Sequence, residues 1–184
     1  LNLTGLTVNS NLTTNGWIKI EDGTVTGNLH GGNGVNLTNT NFFGNITATQ
    51  GAIIVTGGTL NSHIGTNGYN QPITLTDVVM TGGSITTAGH EITLNNSRLG
   101  SGGNRIAIVA GNYVYANDTT VWGDIKAANW TAVQTVIVNP NTVVYGYCDP
   151  GYWGGGFCQY NNGNCSPYIG LATINEANDG RTGS

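Results

Sequence analysis

The chain has 184 residues, with five Lys or Arg against nine Asp or Glu, a formal net charge of −4 and a hydrophobic share of 38%. So few cations leave no basic stripe to neutralise nucleic-acid phosphates and no polybasic anchor for an anionic membrane. No apolar run approaches the roughly 20 residues of a membrane-spanning helix, and nothing in the composition calls for a cofactor.

In chain order, apolar residues return at offsets zero, two, seven and eleven of successive units. These units are Leu1, Leu3, Val8, Leu12; Ile18, Ile20, Val25, Leu29; Val35, Leu37, Phe42, Ile46; and Ile53, Val55, Leu60, Ile64. The fifth is Ile73, Leu75, Met80 with Ile85 one place late, and the sixth is Ile92, Leu94, Leu99 with Gly103 in the last slot. Two more follow, Val114, Ala116, Val121, Ile125 and Val136, Val138, Val143, Tyr147. Unit starts about 17 to 22 residues apart mark a repeat architecture. The first pair of each unit is a strand alternation, and the second lies past a turn-rich corner, so each unit has at least two inward edges. Helical spacing is missing, and a sandwich would not require one offset pattern to recur.

The expected fold is all-β, a single-stranded parallel β-helix of about eight rungs. At about 4.8 Å per rung it would form a rod about 40 Å long. One rung cannot bury its apolar edge alone, whereas stacked rungs share a continuous core. Thr4, Glu21, Thr38, Thr56, Thr76, Asn95, Asn117 and Asn139 at offset three form a polar ladder after the first strand, suited to hydrogen bonds between stacked side chains.

The β-helix is expected over 1–147, a Cys- and aromatic-rich cap loop over 148–168 and a capping strand or linker over 169–184. Cys148 with Cys158, or Cys158 with Cys165, would staple the cap in an oxidising extracellular compartment, leaving one thiol over. Zinc is the alternative, but no CxxC knuckle and no nearby His support it, and no metal ligands are assigned. Without a leader before Leu1, the chain reads as a mature or excised fragment.

Many β-helices cleave polysaccharides, and Asp22, Asp77 and Asp118 share offset four. Asp77 and Asp118, with Arg98 on the intervening rung, would stand roughly 10 Å apart at the strand spacing, at the edge of an inverting pair. Aspartate at a turn is ordinary Asx chemistry. His30, His63 and His90 occupy different offsets, and Glu21 and Glu91 lie on distant rungs, so no catalytic residues are assigned and an enzyme is not expected. An ice-binding face would need paired Thr columns. The outward positions are broken by Phe43, Arg98 and Trp122.

Phe, Trp and Tyr number three, four and eight, fifteen in all, and eleven of them lie between Tyr113 and Tyr168. Tyr113, Tyr115, Trp122 and Trp130 are the candidate ligand-binding residues, because exposed rings bind sugars and protein partners. Tyr152, Trp153 and Phe157 are placed to cover the open end of the solenoid.

The segments Thr119-Thr120-Val121-Trp122-Gly123-Asp124-Ile125 and Asn141-Thr142-Val143-Val144-Tyr145-Gly146-Tyr147-Cys148, with Val25-Thr26-Gly27-Asn28-Leu29 and Phe42-Phe43-Gly44-Asn45-Ile46, form one mould. It resembles rungs of bacterial surface proteins encoded with type IV pili of the mannose-sensitive haemagglutinin type, and of β-helix adhesins generally. The resemblance implies an exported bacterial protein, secreted or at the cell surface, that is concerned with pili or adhesion, with no catalytic residues to carry over. The expected function is thus an extracellular adhesive or structural module. Its partners would be a host or surface glycan or protein, the pilus or neighbouring subunits, with no nucleic acid. A polysaccharide-degrading enzyme is the alternative, followed by an ice-binding protein.

Overall fold

The structure, a computed structural model, describes residues 1–66, 68, 71–127, 134–139, 141–146, 148–149 and 157–160, with backbone alone at 134–135, 148–149 and 157–160. Every described element is a strand, and successive turns pair in parallel, as in Leu3 with Ile20 and Ile18 with Val35. The chain is a parallel β-solenoid of about seven turns. A partial eighth is entered through Gln134–Val138, Val143–Tyr145 and Cys148–Asp149, and Phe157–Tyr160 adds a ninth strand to the first column.

Three columns of strands enclose the core. The first runs through Asn2–Thr4, Trp17–Glu21, Gly34–Thr38, Ile53–Thr56, Ile73–Thr76, Ile92–Asn95 and Val114–Asn117 to Gln134–Val138. The second includes Thr7–Val8, Thr24–Thr26, Arg98–Leu99, Thr120–Trp122 and Val143–Tyr145, and the third includes Leu12–Thr14, Leu29–Gly31, Ala107–Ala110 and Ile125–Ala127. Asn41–Ala48, Thr59–Thr66 and Val79–Thr87 pass through both. Offsets seven and eleven therefore belong to different columns, and a second corner separates them.

Each corner has its own backbone chemistry. Between the first and second columns one residue per turn sits in the left-handed region: Gly5, Asp22, Asn39, Gly57, Asp77, Asn96 and Asp118, with φ between 45° and 69°. Only Gly, Asn and Asp occupy this place. A side chain in that region costs roughly 1–2 kcal/mol, which a short polar group partly offsets by local hydrogen bonding. The offset-three ladder lies one residue earlier: Asn117 Nδ2 donates to Asn95 Oδ1 at 3.0 Å and Asn95 Nδ2 to Thr76 Oγ1 at 3.5 Å.

At most turns the second corner holds glycine, for space as well as conformation, while Ser62 takes the place that pairs with Gly44. Gly27, Gly44 and Gly123 have φ of 142°, 147° and 148°, and a Cβ on Gly44 would lie 2.0 Å from the Gly27 carbonyl oxygen. The next residue builds an amide ladder, in which Asn11 Oδ1 accepts the Asn28 N–H at 2.8 Å and Asn28 Oδ1 accepts the Asn45 N–H at 3.0 Å. These are the Gly-Asn and Gly-Asp steps of the recurring sequence mould, and they turn the chain.

Inside, Ile18, Val35, Ile53, Ile73, Ile92, Val114 and Val136 stack along the first column, Val25 through Phe42, Leu60, Met80 and Leu99 to Val121 along the second, and Leu29 through Ile46, Ile64, Ile85 and Ile108 to Ile125 along the third, all essentially inaccessible. Two further inward positions carry small or hydroxyl residues. Two residues past the third-column core position, Ala48, Thr66, Thr87, Ala110 and Ala127 are buried, and Thr66 Oγ1 donates to Thr87 Oγ1 at 2.9 Å. Just past the first corner, Ser97, Thr119 and Thr142 are buried, and each hydroxyl accepts an N–H from the turn below: Val78 at 3.1 Å, Ser97 at 3.3 Å and Thr119 at 3.3 Å.

Three slots differ from the sequence pattern. Gly103 lies in open space on an excursion closed by the Ser101–Asn104 bridge, and Ile108 fills the core position of the sixth turn. In the eighth unit Val144, not Val143, pairs with Val121, and Cys148, not Tyr147, takes the register of Ile125. The slip of one residue arises because the corner after Val138 is one residue longer than in the first turns. Ile85 is late because Thr81 is an extra residue opposite the Leu60/Asn61 step. Cys148 and Cys158 are described by backbone only and Cys165 lies outside the described residues, as do 169–184. The disulfide cap therefore falls outside what is described.

Candidate functional site

The aspartates at offset four are corner residues, and each carboxylate is taken up by asparagine on the adjoining turn. Asn39 Nδ2 donates to Asp22 Oδ1 at 3.2 Å, Asn96 Nδ2 donates to Asp77 Oδ1, and Asn139 and Asn141 donate to Asp118 Oδ1 at 3.0 and 2.7 Å. Hydrogen bonding to the ionised form, from Asn141 first and then Asn139, holds the Asp118 carboxyl below the usual carboxylate range. Such a group stays ionised and is a poor proton donor at neutral pH. Arg98 makes its contact elsewhere, with its guanidinium carbon 4.9 Å from the centroid of the Trp122 ring.

The histidines are dispersed. His30 Nδ1 lies 2.9 Å from Thr47 Oγ1, and His63 Nδ1 lies 2.9 Å from Ser84 Oγ. His90 Nδ1 stands 3.1 Å from Glu91 Oε2 without hydrogen-bond geometry. Among the described residues no three His, Cys, Asp or Glu stand close enough to hold a metal ion, and no helix is long and apolar enough to cross a membrane. On the outside of the second column Phe43 and Val79 are 43% and 44% exposed, which interrupts the hydroxyl array that ice matching would need.

Two aromatic groups lie on the outside of the later turns. Val114 and Ala116 point into the core, so strand alternation turns Tyr113 and Tyr115 outward, with ring centroids 5.8 Å apart and planes tilted by 31°. Glu91 adjoins Tyr113 on the preceding turn, where the Ile92 N–H donates to the Tyr113 carbonyl at 2.9 Å. Burial pushes the Tyr115 phenol up from its ordinary value, and the negative charge of Glu91 and then Tyr113 add to the shift. The patch joins two rings, a carboxylate and a phenol that keeps its proton.

The second group is a column. Trp122 and Tyr145 stack with centroids 4.9 Å apart and planes 16° from parallel, and Arg98 lies over the indole from the turn before. Since Arg98 and Tyr145 stand on the turns before and after Trp122, the two indole faces are taken up along the rod, and what Trp122 offers outward is its edge. Its role as a flat sugar platform, expected from the sequence, is restricted by that stacking. Tyr145 is a functional candidate that the sequence pattern passes over. With Val143 in the core slot, Tyr145 falls off the Trp122 column, and a one-residue slip turns every side chain to the other face. The corrected register Trp122 to Tyr145 brings it back. Trp130, Tyr152 and Trp153 lie outside the described residues, and Phe157 is described by backbone only.

Known proteins supply no match: the chain fits no protein-family model, no curated protein and no solved structure.

Proposed function

We propose that the chain is an adhesive or structural module of a bacterial surface, extracellular or pilus-associated, that binds glycan or protein on the outside of a rigid rod and catalyses no reaction. The observation that carries the reading is the Tyr113–Tyr115 pair beside Glu91, placed outward on a strand whose other face is locked in the core. Rigid rings supply contact area at low entropic cost, and a neighbouring carboxylate accepts hydrogen bonds from ligand hydroxyls. Repetition along a rod lets weak contacts add by avidity.

A glycan and cell-surface binding assay of the whole chain tests this. Tyr113→Ala with Tyr115→Ala is expected to weaken binding about tenfold or more, on the scale of a lost aromatic anchor. Unchanged binding in the double variant removes the site. Release of reducing ends from a polysaccharide panel, abolished by Asp77→Ala or Asp118→Ala, would replace the adhesive reading with an enzymatic one.

A further inference from the structure

The chain carries only five Lys and Arg within a net charge of −4. Arg105 is engaged with Asp124 at 3.1 Å. Arg98 is different: it is exposed, its guanidinium lies over the Trp122 ring, and among the described residues no carboxylate pairs with it. A guanidinium held at an indole face stays charged and keeps its planar fork of N–H donors for an acceptor from outside. On an acidic molecule, an ordered arginine without an acidic partner is a place for an incoming anion.

The surroundings narrow the anion. The edges of Trp122 and then Tyr145 follow Arg98 on the next two turns of the same column, offering positive ring rims and one N–H and one O–H donor. The Ser101–Asn104 excursion leaves and returns beside them: the Ile106 N–H donates to the Trp122 carbonyl at 2.7 Å, and Gly102 and Gly103 stand in open space. This is a charged fork at one end of an amphipathic edge with a polar loop alongside, on the outside of an oxygen-rich rod. A carboxylate matches the fork with two coplanar oxygens, and a sugar ring matches the edge with C–H groups and hydroxyls.

We propose that Arg98, Trp122 and Tyr145 form a subsite for carboxylate-bearing saccharides, of the uronic or sialic acid kind, on the second-column face. The proposal rests on the glycan-binding reading of the rod but uses a separate face from Tyr113 and Tyr115. It assigns preference for acidic over neutral sugars to one side chain.

The test is calorimetry or array binding of the whole chain with oligogalacturonate and sialyllactose, each beside its methyl ester, which keeps the sugar and removes the charge. The acids are expected to bind about tenfold more tightly than their esters, and Arg98→Gln to abolish that difference, the scale of a hydrogen bond to a charged partner. Arg98→Lys retains the charge without the fork and is expected to recover only part of it, with circular dichroism confirming the fold of each variant. Equal binding of acid and ester, or a preference unchanged in Arg98→Gln, overturns the subsite. If binding survives but depends on Tyr113 and Tyr115 with no acid preference, this inference alone falls; if no glycan or protein binds, it falls together with the functional reading beneath it.

Discussion

Asp118 and Asn139 hold each other across two turns of the solenoid: the Asp118 N–H donates to Asn139 Oδ1 at 2.9 Å, and Asn139 Nδ2 donates back to Asp118 Oδ1 at 3.0 Å. The pair closes a corner that forces Asp118 into the left-handed region at φ 50°. A carboxylate at a position that could have been catalytic is thereby a clamp between rungs.

The clamp has a pH signature. The Asp118 carboxyl is held below its usual range by Asn141 and Asn139, so its contribution to stability is present above the unfolded carboxylate's titration and is lost as pH falls through the lower folded value. Urea denaturation of the chain and of Asp118→Asn should differ by a constant amount above about pH 5, and the difference should begin to shrink near about pH 4 and go on shrinking as pH falls toward the lower folded value. A difference that does not change across the acid range rejects the clamp.

The two corners should respond differently to the same kind of change. Asn96→Gly keeps the left-handed conformation and loses only the Asp77 contact, a loss expected to be about 1 kcal/mol or less. Gly44→Ala puts a Cβ 2.0 Å from the Gly27 carbonyl oxygen at φ 147°, and should cost at least about 3 kcal/mol from strain and overlap together. Thermal or urea unfolding that ranks Asn96→Gly as the worse variant contradicts the corner assignment.

The buried hydroxyl of Thr119 donates to the Asn117 carbonyl at 2.8 Å and accepts the Ser97 N–H at 3.3 Å. Thr119→Val keeps the shape and strands that N–H, at about 1–3 kcal/mol. Hydrogen exchange should accelerate at the Ser97 amide more than at amides two turns away, and uniform protection would show that the hydroxyl is dispensable.

Glu91 should be legible in the titration of Tyr115. Burial is the larger cause of the raised phenol and Glu91 the second, so Glu91→Gln is expected to lower it part of the way toward the ordinary 10.0. In stability terms the raised phenol contributes below the unfolded tyrosine's titration and loses that contribution as pH rises through the folded value. Phenolate absorbance of Glu91→Gln against Tyr115→Phe resolves the shift, and no movement would mean the carboxylate does not face the ring.

The period-two alternation and its return every rung determined the solenoid from the sequence alone, because burial of one face demands a particular residue type at Ile18, Val25 and Leu29 and at each counterpart above them. The pattern falters at Gly103, Val143 and Tyr147, where insertions at corners change length without changing the core, since apolar spacing does not count the residues looped between strands. The second corner was present as Gly27, Gly44 and Gly123, but a glycine reads as a generic turn until its φ and its distance to the rung below are known. What lies outside the core only the tertiary structure decided. Whether Asp77 faces Arg98 or Asn96, and whether Trp122 shows a face or an edge, depends on contacts between residues about 19 to 24 apart in the chain. No local propensity encodes them, because they arise where one turn is laid upon the next.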